Sequence, residues 1–164
     1  MDLYIIRHAW AGQYGDHQWP DDSERPLTDK GRKRFAGMVN ILSQRGMEPS
    51  LIATSPMVRC RQTAEILAEG LIDQPEIIQR EELLPHGDLQ SLLGWTAQQA
   101  EDHPQIAWVG HAPDVELITA ALIGQPNASI RFAKGAVAAV RFDGLIEIGG
   151  GELRWLITAK QLDC

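Results

Sequence analysis

Asp2-Leu3-Tyr4-Ile5-Ile6-Arg7, followed at once by His8 and Ala9, opens the chain with a largely apolar run that shows no polar alternation. A strand buried on both faces reads this way, and such strands belong to sheets covered by helices on each side. Ser50-Leu51-Ile52-Ala53-Thr54 and Gln105-Ile106-Ala107-Trp108-Val109 repeat the pattern, and Glu76-Ile77-Ile78-Gln79 is a shorter, weaker version. Helical spacing fills the intervals. Thr28 can cap a helix whose inner face is Phe35, Met38, Val39 and Leu42 and which Gly46 ends. Ser55 is expected to cap a second helix, with Pro56 in its first position, running to about Glu69 with Cys60, Ala64 and Leu67 inward. Asp88 can cap a third that carries Leu89, Leu92, Leu93 and Ala100, and Val115 to Ile123 makes a fourth that stops at Gly124. Ala136 to Phe142 and Leu153 to Thr158, set around Asp143-Gly144 and Gly149-Gly150-Gly151, read as a terminal hairpin or as neighbouring strands. Strands alternating with helices predict an α/β fold, a three-layer α/β/α arrangement with a mostly parallel central sheet and an antiparallel edge, in one domain over residues 1–164.

Composition narrows the functions open to such a fold. Hydrophobic residues at 44% and charged residues at 23% are ordinary for a globular protein, so disorder and fibrous repeats are set aside. A formal net charge of −7 argues against nucleic acid or an anionic membrane as a partner, because both reward a basic surface. An anionic substrate would therefore need a local cationic pocket. The first ten residues lack a basic segment followed by a long apolar run, and no stretch is long and apolar enough to span a membrane, so a cytoplasmic location is expected. The two cysteines, Cys60 and Cys164, have no Cys-x-x-Cys spacing, which disfavours a structural disulfide or a zinc site. Cys60 could serve as the nucleophile of a cysteine phosphatase, but Ile66 stands where such a phosphate loop needs arginine, so helix packing is the better reading.

In open α/β sheets ligands bind outside the carboxyl ends of the strands. Here the first strand ends in Arg7-His8, the second runs through Ser55-Pro56 to Arg59, and the fourth ends in Gly110-His111. An Arg-His pair or a lone histidine after a strand says little by itself. Their convergence says more, because two guanidinium groups beside two imidazoles repel unless an anion sits among them. Phosphate suits guanidinium forks and the amino end of the helix near Pro56. A neutral imidazole can attack phosphorus when its other ring nitrogen donates to a carbonyl or carboxylate. His8, just beyond a strand and beside Arg7, is the better placed nucleophile; His111 is better placed to bind a phosphoryl oxygen, and Arg7 and Arg59 to stabilise the charge that spreads over those oxygens. The loop Ala9 to Pro26 is polar, yet it carries Trp10, Tyr14, His17 and Trp19. A lid, a docking surface and simple packing are all compatible with it.

Arg7-His8-Ala9, Arg25-Pro26-Leu27-Thr28, Ser55-Pro56 with Arg59-Cys60-Arg61-Gln62-Thr63, and Val109-Gly110-His111-Ala112-Pro113 together resemble the histidine phosphatase superfamily, most closely its short SixA-type phosphohistidine phosphatases. The resemblance runs over nearly the whole chain and implies a phosphoglycerate mutase-like fold, a phosphohistidine intermediate on His8, phosphate contacts from Arg7, Arg59 and His111, and neither metal nor cofactor. It further implies a place for Arg25 at the pocket mouth, against which stands an exposed loop arginine. Glu82, within Glu81-Glu82-Leu83-Leu84-Pro85-His86-Gly87-Asp88, takes the position of the leaving-group acid of larger members, against which stands an exposed loop carboxylate. Ala9 departs from the glycine that much of the superfamily has there, but keeps its small size.

The implied substrate is a phosphorylated protein, such as a histidine-containing phosphotransfer domain carrying phosphohistidine. A departing imidazole can be protonated before its P–N bond breaks, which reduces the need for an acid. Two alternatives stay open: a small phosphomonoester metabolite handled by the same His8 chemistry, and a catalytically silent module that only binds phosphate. Mutases of this superfamily carry long insertions that close over the site, and 164 residues leave little room for them.

Overall fold

The opening run forms β1 (Asp2–Arg7), and its largely apolar character follows from its position inside the sheet of this computed structural model, which describes residues 1–164. The chain continues through α1 (Asp29–Ser43), β2 (Leu51–Thr54), α2 (Val58–Glu69), β3 (Glu76–Gln79), α3 (Leu89–Gln99), β4 (Gln105–Gly110), α4 (Asp114–Leu122), β5 (Val137–Arg141) and β6 (Glu152–Ile157). The six strands make one sheet in the order β3-β2-β4-β1-β5-β6. Parallel pairing joins β3, β2, β4 and β1, whereas β5 runs antiparallel to β1 and β6 antiparallel to β5. The expected α/β layering with an antiparallel edge is therefore present, and the last two strands are adjacent partners.

Successive side chains of β1 go to opposite faces. Tyr4 and Ile6 enter a core with Phe35, Met38 and Leu42 of α1 and Cys60, Ala64 and Leu67 of α2. Leu3 and Ile5 enter the other core, with Leu92 and Leu93 of α3 and Val115 and Leu122 of α4. Two apolar interfaces back to back explain why the central strands show no polar alternation. The weaker β3 is the sheet edge, where Glu76 and Gln79 are exposed and only Ile77 and Ile78 pack inward. No helix is long and apolar enough to cross a membrane.

Side-chain caps start two of the four α-helices. Thr28 accepts from the Gly31 amide and Asp88 from those of Gln90 and Ser91. The second helix departs from expectation. It begins at Val58 with Met57 in the cap position and no side-chain cap; the Ser55 hydroxyl meets the His111 ring at 2.9 Å and accepts from the Met57 amide at 3.4 Å. Residues 55–57 thus form an elbow between β2 and α2 rather than a first turn.

The polar loop after β1 is closed by contacts between its two ends. Ala11 bridges Leu27, and the Thr28 amide donates to the Trp10 carbonyl at 2.9 Å. Gly31 permits this approach, since a Cβ there would lie 2.4 Å from the Trp10 carbonyl oxygen, well inside van der Waals contact. Gly31→Ala is expected to destabilise the protein by about 1–3 kcal/mol, the usual cost of overpacking. Urea unfolding measures it; an unchanged midpoint would show that the loop closes without this contact.

Candidate active site

Parallel pairing puts the carboxyl ends of β1, β2 and β4 on one edge, and the register sets Arg7 opposite Gly110. His8 and His111 are the next residues of their strands, and their rings lie 5.5 Å apart at 60°. The His8 main chain stays bound into the sheet, its amide donating to Gly110 at 2.9 Å and its carbonyl accepting from Gly135 at 3.1 Å. The ring is thereby carried on a strand extension rather than a free loop. Its Nδ1 sits 2.8 Å from the Ala9 carbonyl oxygen. A carbonyl can only accept, so Nδ1 carries the hydrogen and Nε2 holds a free lone pair.

His111 is held from the second strand exit, its Nε2 2.9 Å from the Ser55 hydroxyl oxygen. Cys60 lies behind it, with Sγ 3.4 Å from the same nitrogen. Burial pushes the Cys60 thiol up to about 12, so it is a packing group and not a thiolate nucleophile.

The guanidinium groups are tethered to main-chain oxygens. Arg7 Nη1 donates to Phe132 at 2.7 Å and Arg59 Nη1 to Asp22 at 2.7 Å. In each, Nε is buried and has no partner within the protein. Arg59 reaches this position from the first turn of α2, which Thr63 ties to the β1 exit by donating to the Arg59 carbonyl at 2.7 Å and accepting from the Ala9 amide at 3.0 Å. Arg25 is buried, not an exposed loop arginine, and its Nε meets Asp22 Oδ1 at 2.7 Å. Arg7, His8, Arg25, Arg59 and His111 are thus gathered at one edge, with Asp22 joining two of the arginines.

Glu82 stands apart from this cluster. It lies in a 3₁₀ turn (Glu81–Leu83), pairs with Arg80, and is 20% exposed, so it is no free surface carboxylate. It does share a cleft of about 330 Å³ with Gly110 and His111, floored by Leu83, Val115 and Ile118. Asp22 and Ser55 are the site members that sequence reasoning missed. Ser55 reads locally as a helix cap, and Asp22 is one polar residue among several in the loop; its placement three residues before Arg25 is the available signal.

Burial, reinforced by neighbouring cations, holds both imidazoles neutral: His8 falls to about 3 and His111 to about 4, from an ordinary 6.5. Desolvation also lowers Arg7 and Arg59, which remain charged. Fixed positive charge facing a neutral ring with an outward lone pair is an arrangement that can bind a tetrahedral oxyanion and attack its central atom.

Fold and cluster together define an α/β phosphate-handling protein with an imidazole at its centre. The family model of the histidine phosphatase superfamily (branch 1) matches residues 3–117, and the chain belongs to that superfamily, as a hydrolase with a phosphoglycerate mutase-like fold. An uncharacterised protein of Picosynechococcus sp. is 36% identical over 144 residues, which cover 86% of this chain and 85% of the relative. Phosphohistidine phosphatase SixA of Escherichia coli K12 is 28% identical over 165 residues, covering 99% of this chain and 96% of the relative. A solved structure of the protein histidine phosphatase SixA complexed with tungstate superposes with a TM-score of 0.85 at 28% identity, covering 99% of both chains.

The two depressed histidines tie stability to pH. Their folded values lie below the unfolded one, so the unfolded chain takes up protons first; stability is full above about 6.5 and declines as pH falls toward 3–4. The urea midpoint is expected to drop between pH 6.5 and 4.5, and less steeply in His8→Asn. A His8 ring that titrates near 6.5 by NMR in the folded protein would contradict this.

Proposed function

We propose that this chain hydrolyses protein-borne phosphohistidine through a covalent phosphohistidine on His8. The observation that carries the reading is the 2.8 Å contact from His8 Nδ1 to the Ala9 carbonyl, which fixes the tautomer and leaves Nε2 free to attack phosphorus. Nε2 forms the new P–N bond as the bond to the substrate imidazole breaks, and the departing ring leaves protonated. Water then attacks phosphorus on the opposite side of the His8–phosphorus bond, phosphate is released, and the electron pair returns to Nε2. Arg7 and Arg59 stabilise the negative charge spread over the phosphoryl oxygens in both steps. Ser55 occupies one edge of the His111 ring, so the other edge serves as donor to a phosphoryl oxygen. Arg25 acts at the rim of the pocket.

The protein substrate is supported by the 28% identity and near-complete coverage shared with SixA, and by the chemistry of the leaving group. An imidazole brings its own proton and asks little of a general acid. A small phosphomonoester is the second reading, favoured by the cleft beside His111 in which Glu82 could protonate an alkoxide. The partner segment would be a histidine-containing phosphotransfer domain, on the strength of the SixA resemblance alone.

Assay against a phosphohistidine protein beside a panel of phosphorylated sugars and a phosphotyrosine mimic separates these readings. Turnover of the phosphoprotein with kcat/KM at least about 10-fold above the esters is expected, with a burst of bound phosphate when mixing is rapid. His8→Ala is expected to abolish the burst and turnover. Arg59→Ala is expected to raise KM and to lower kcat by about 100-fold or more. Normal turnover by the His8 variant would remove the nucleophile, and preference for a sugar phosphate would move the substrate to the second reading.

A further inference from the structure

Asp22 sits in a 3₁₀ turn (Asp22–Glu24) of the polar loop, capped by Asp21, whose carboxylate accepts from the Ser23 amide at 2.9 Å. Its carboxylate faces two guanidinium groups at once. Oδ1 meets Arg25 Nε at 2.7 Å, and Oδ2 meets Arg59 Nη2 at 3.1 Å. Its main-chain carbonyl also accepts from Arg59 Nη1 at 2.7 Å. Arg25 Nη1 in turn donates to the Gly12 carbonyl at 2.8 Å, so both ends of the loop are tied into the same network.

We propose that Asp22 is a positioning residue for phosphoryl transfer, acting through Arg59 and fastening the loop to the phosphate pocket. The inference rests on the reading of Arg59 as a phosphoryl ligand. The other protein contact of the Arg59 guanidinium is Met57 Sδ at 3.0 Å, a weak acceptor. Without Asp22 nothing strong would fix the plane of that fork. With it, the edge formed by Nη1 and Nη2 is held by the Asp22 carbonyl and carboxylate together.

Charge points the same way. Arg7, Arg25 and Arg59 are brought toward one pocket, and the Asp22 carboxylate is the anion that touches two of them. The Arg25 contact comes first among the causes that hold this carboxylate below its usual range, so it is ionised at neutral pH and is no proton donor to a leaving group. Its charge also repels an incoming phosphoryl dianion. Removing it leaves Arg59 held at Nη1 by the Asp22 carbonyl alone and free to turn about that bond, which costs rate, and removes that repulsion, which favours binding. The two effects oppose each other in KM and not in kcat.

The test is a double-mutant cycle on kcat and KM with Asp22→Asn, Arg59→Lys and the double variant, using the substrate on which the wild type is most active. Asp22→Asn is expected to lower kcat by about 10- to 100-fold, the scale of a misplaced binding group, with KM changed by less than about 3-fold. In the Arg59→Lys background, where no fork remains to be oriented, the same change is expected to cost less than about 3-fold. Asp22→Glu, which keeps the charge, is expected to recover part of the loss. Wild-type kcat in Asp22→Asn, or an equal factor in both backgrounds, would overturn the inference; the second result marks a residue that serves the fold alone. If Asp22→Asn loses cooperative urea unfolding, Asp22→Glu takes its place in the cycle and is held to the same comparison. Calorimetry of the wild type with tungstate separates the two levels: a protein that neither binds it nor turns over any substrate overturns the phosphatase reading and this one together, whereas a binding, active wild type leaves the cycle to decide on Asp22.

Discussion

Guanidinium groups cannot shed their charge, and this protein brings several of them to one edge of a sheet whose remaining surface is apolar core. The cost of that placement is met by tethering. Arg7 is bound to the Phe132 carbonyl, Arg25 to that of Gly12 and Arg59 to that of Asp22, so each cation has a fixed main-chain acceptor. These acceptors lie in the segment before β5 and in the loop after β1, which ties two otherwise irregular stretches to the geometry of the pocket. The imidazoles between them are kept neutral by burial and by the same cations. Charge sign in the pocket is thus settled before any ligand arrives, and a tetrahedral anion is the species that relieves it.

Strand register does the rest of the positioning. β1 and β4 are adjacent and parallel, with Ile6 opposite Val109 and Arg7 opposite Gly110. The next residue on each strand is a histidine. A slip of one position would turn one ring to the opposite face of the sheet. Register is protected by packing, since Ile5 and Trp108 belong to one core and Ile6 and Val109 line the other. Core and site are therefore coupled: the same alternation that buries the apolar side chains aims the two rings at each other.

The layering and the three strand exits were legible because they rest on local signals: apolar runs of strand length, helical spacing, and cap residues such as Thr28 and Asp88 that are used as read. His8, His111, Arg7 and Arg59 could be named because all follow immediately from those exits. Ser55 could not be assigned correctly, because a serine before a proline is a good cap on local grounds and its competing partner is His111, 56 positions away. Asp22 and Arg25 are separated from Arg59 by an entire helix and strand. The spacing of three residues hints at the Asp22 pair with Arg25, but nothing local points to its second partner, Arg59. Glu82 differs from these, since its partner Arg80 is two residues away, and Arg80 itself lies over Trp95 of α3 at 5.0 Å.

That last arrangement bears on the leaving group. Glu82 shares a cleft with His111, yet its carboxylate is held by a guanidinium and not by the ring of donors around His8. To protonate an ester oxygen it would have to give up that pair, and Arg80 would lose the anion that sits beside its stacked face. A phosphorylated imidazole imposes no such demand, because its other ring nitrogen takes a proton from solvent before the P–N bond is broken, and the ring departs as neutral imidazole. Among substrates that fit the same cationic pocket, the one needing least from Glu82 is also the one whose reaction a neutral His8 would mirror: under the proposed reading phosphorus would pass from one imidazole nitrogen to another, between bonds of similar kind.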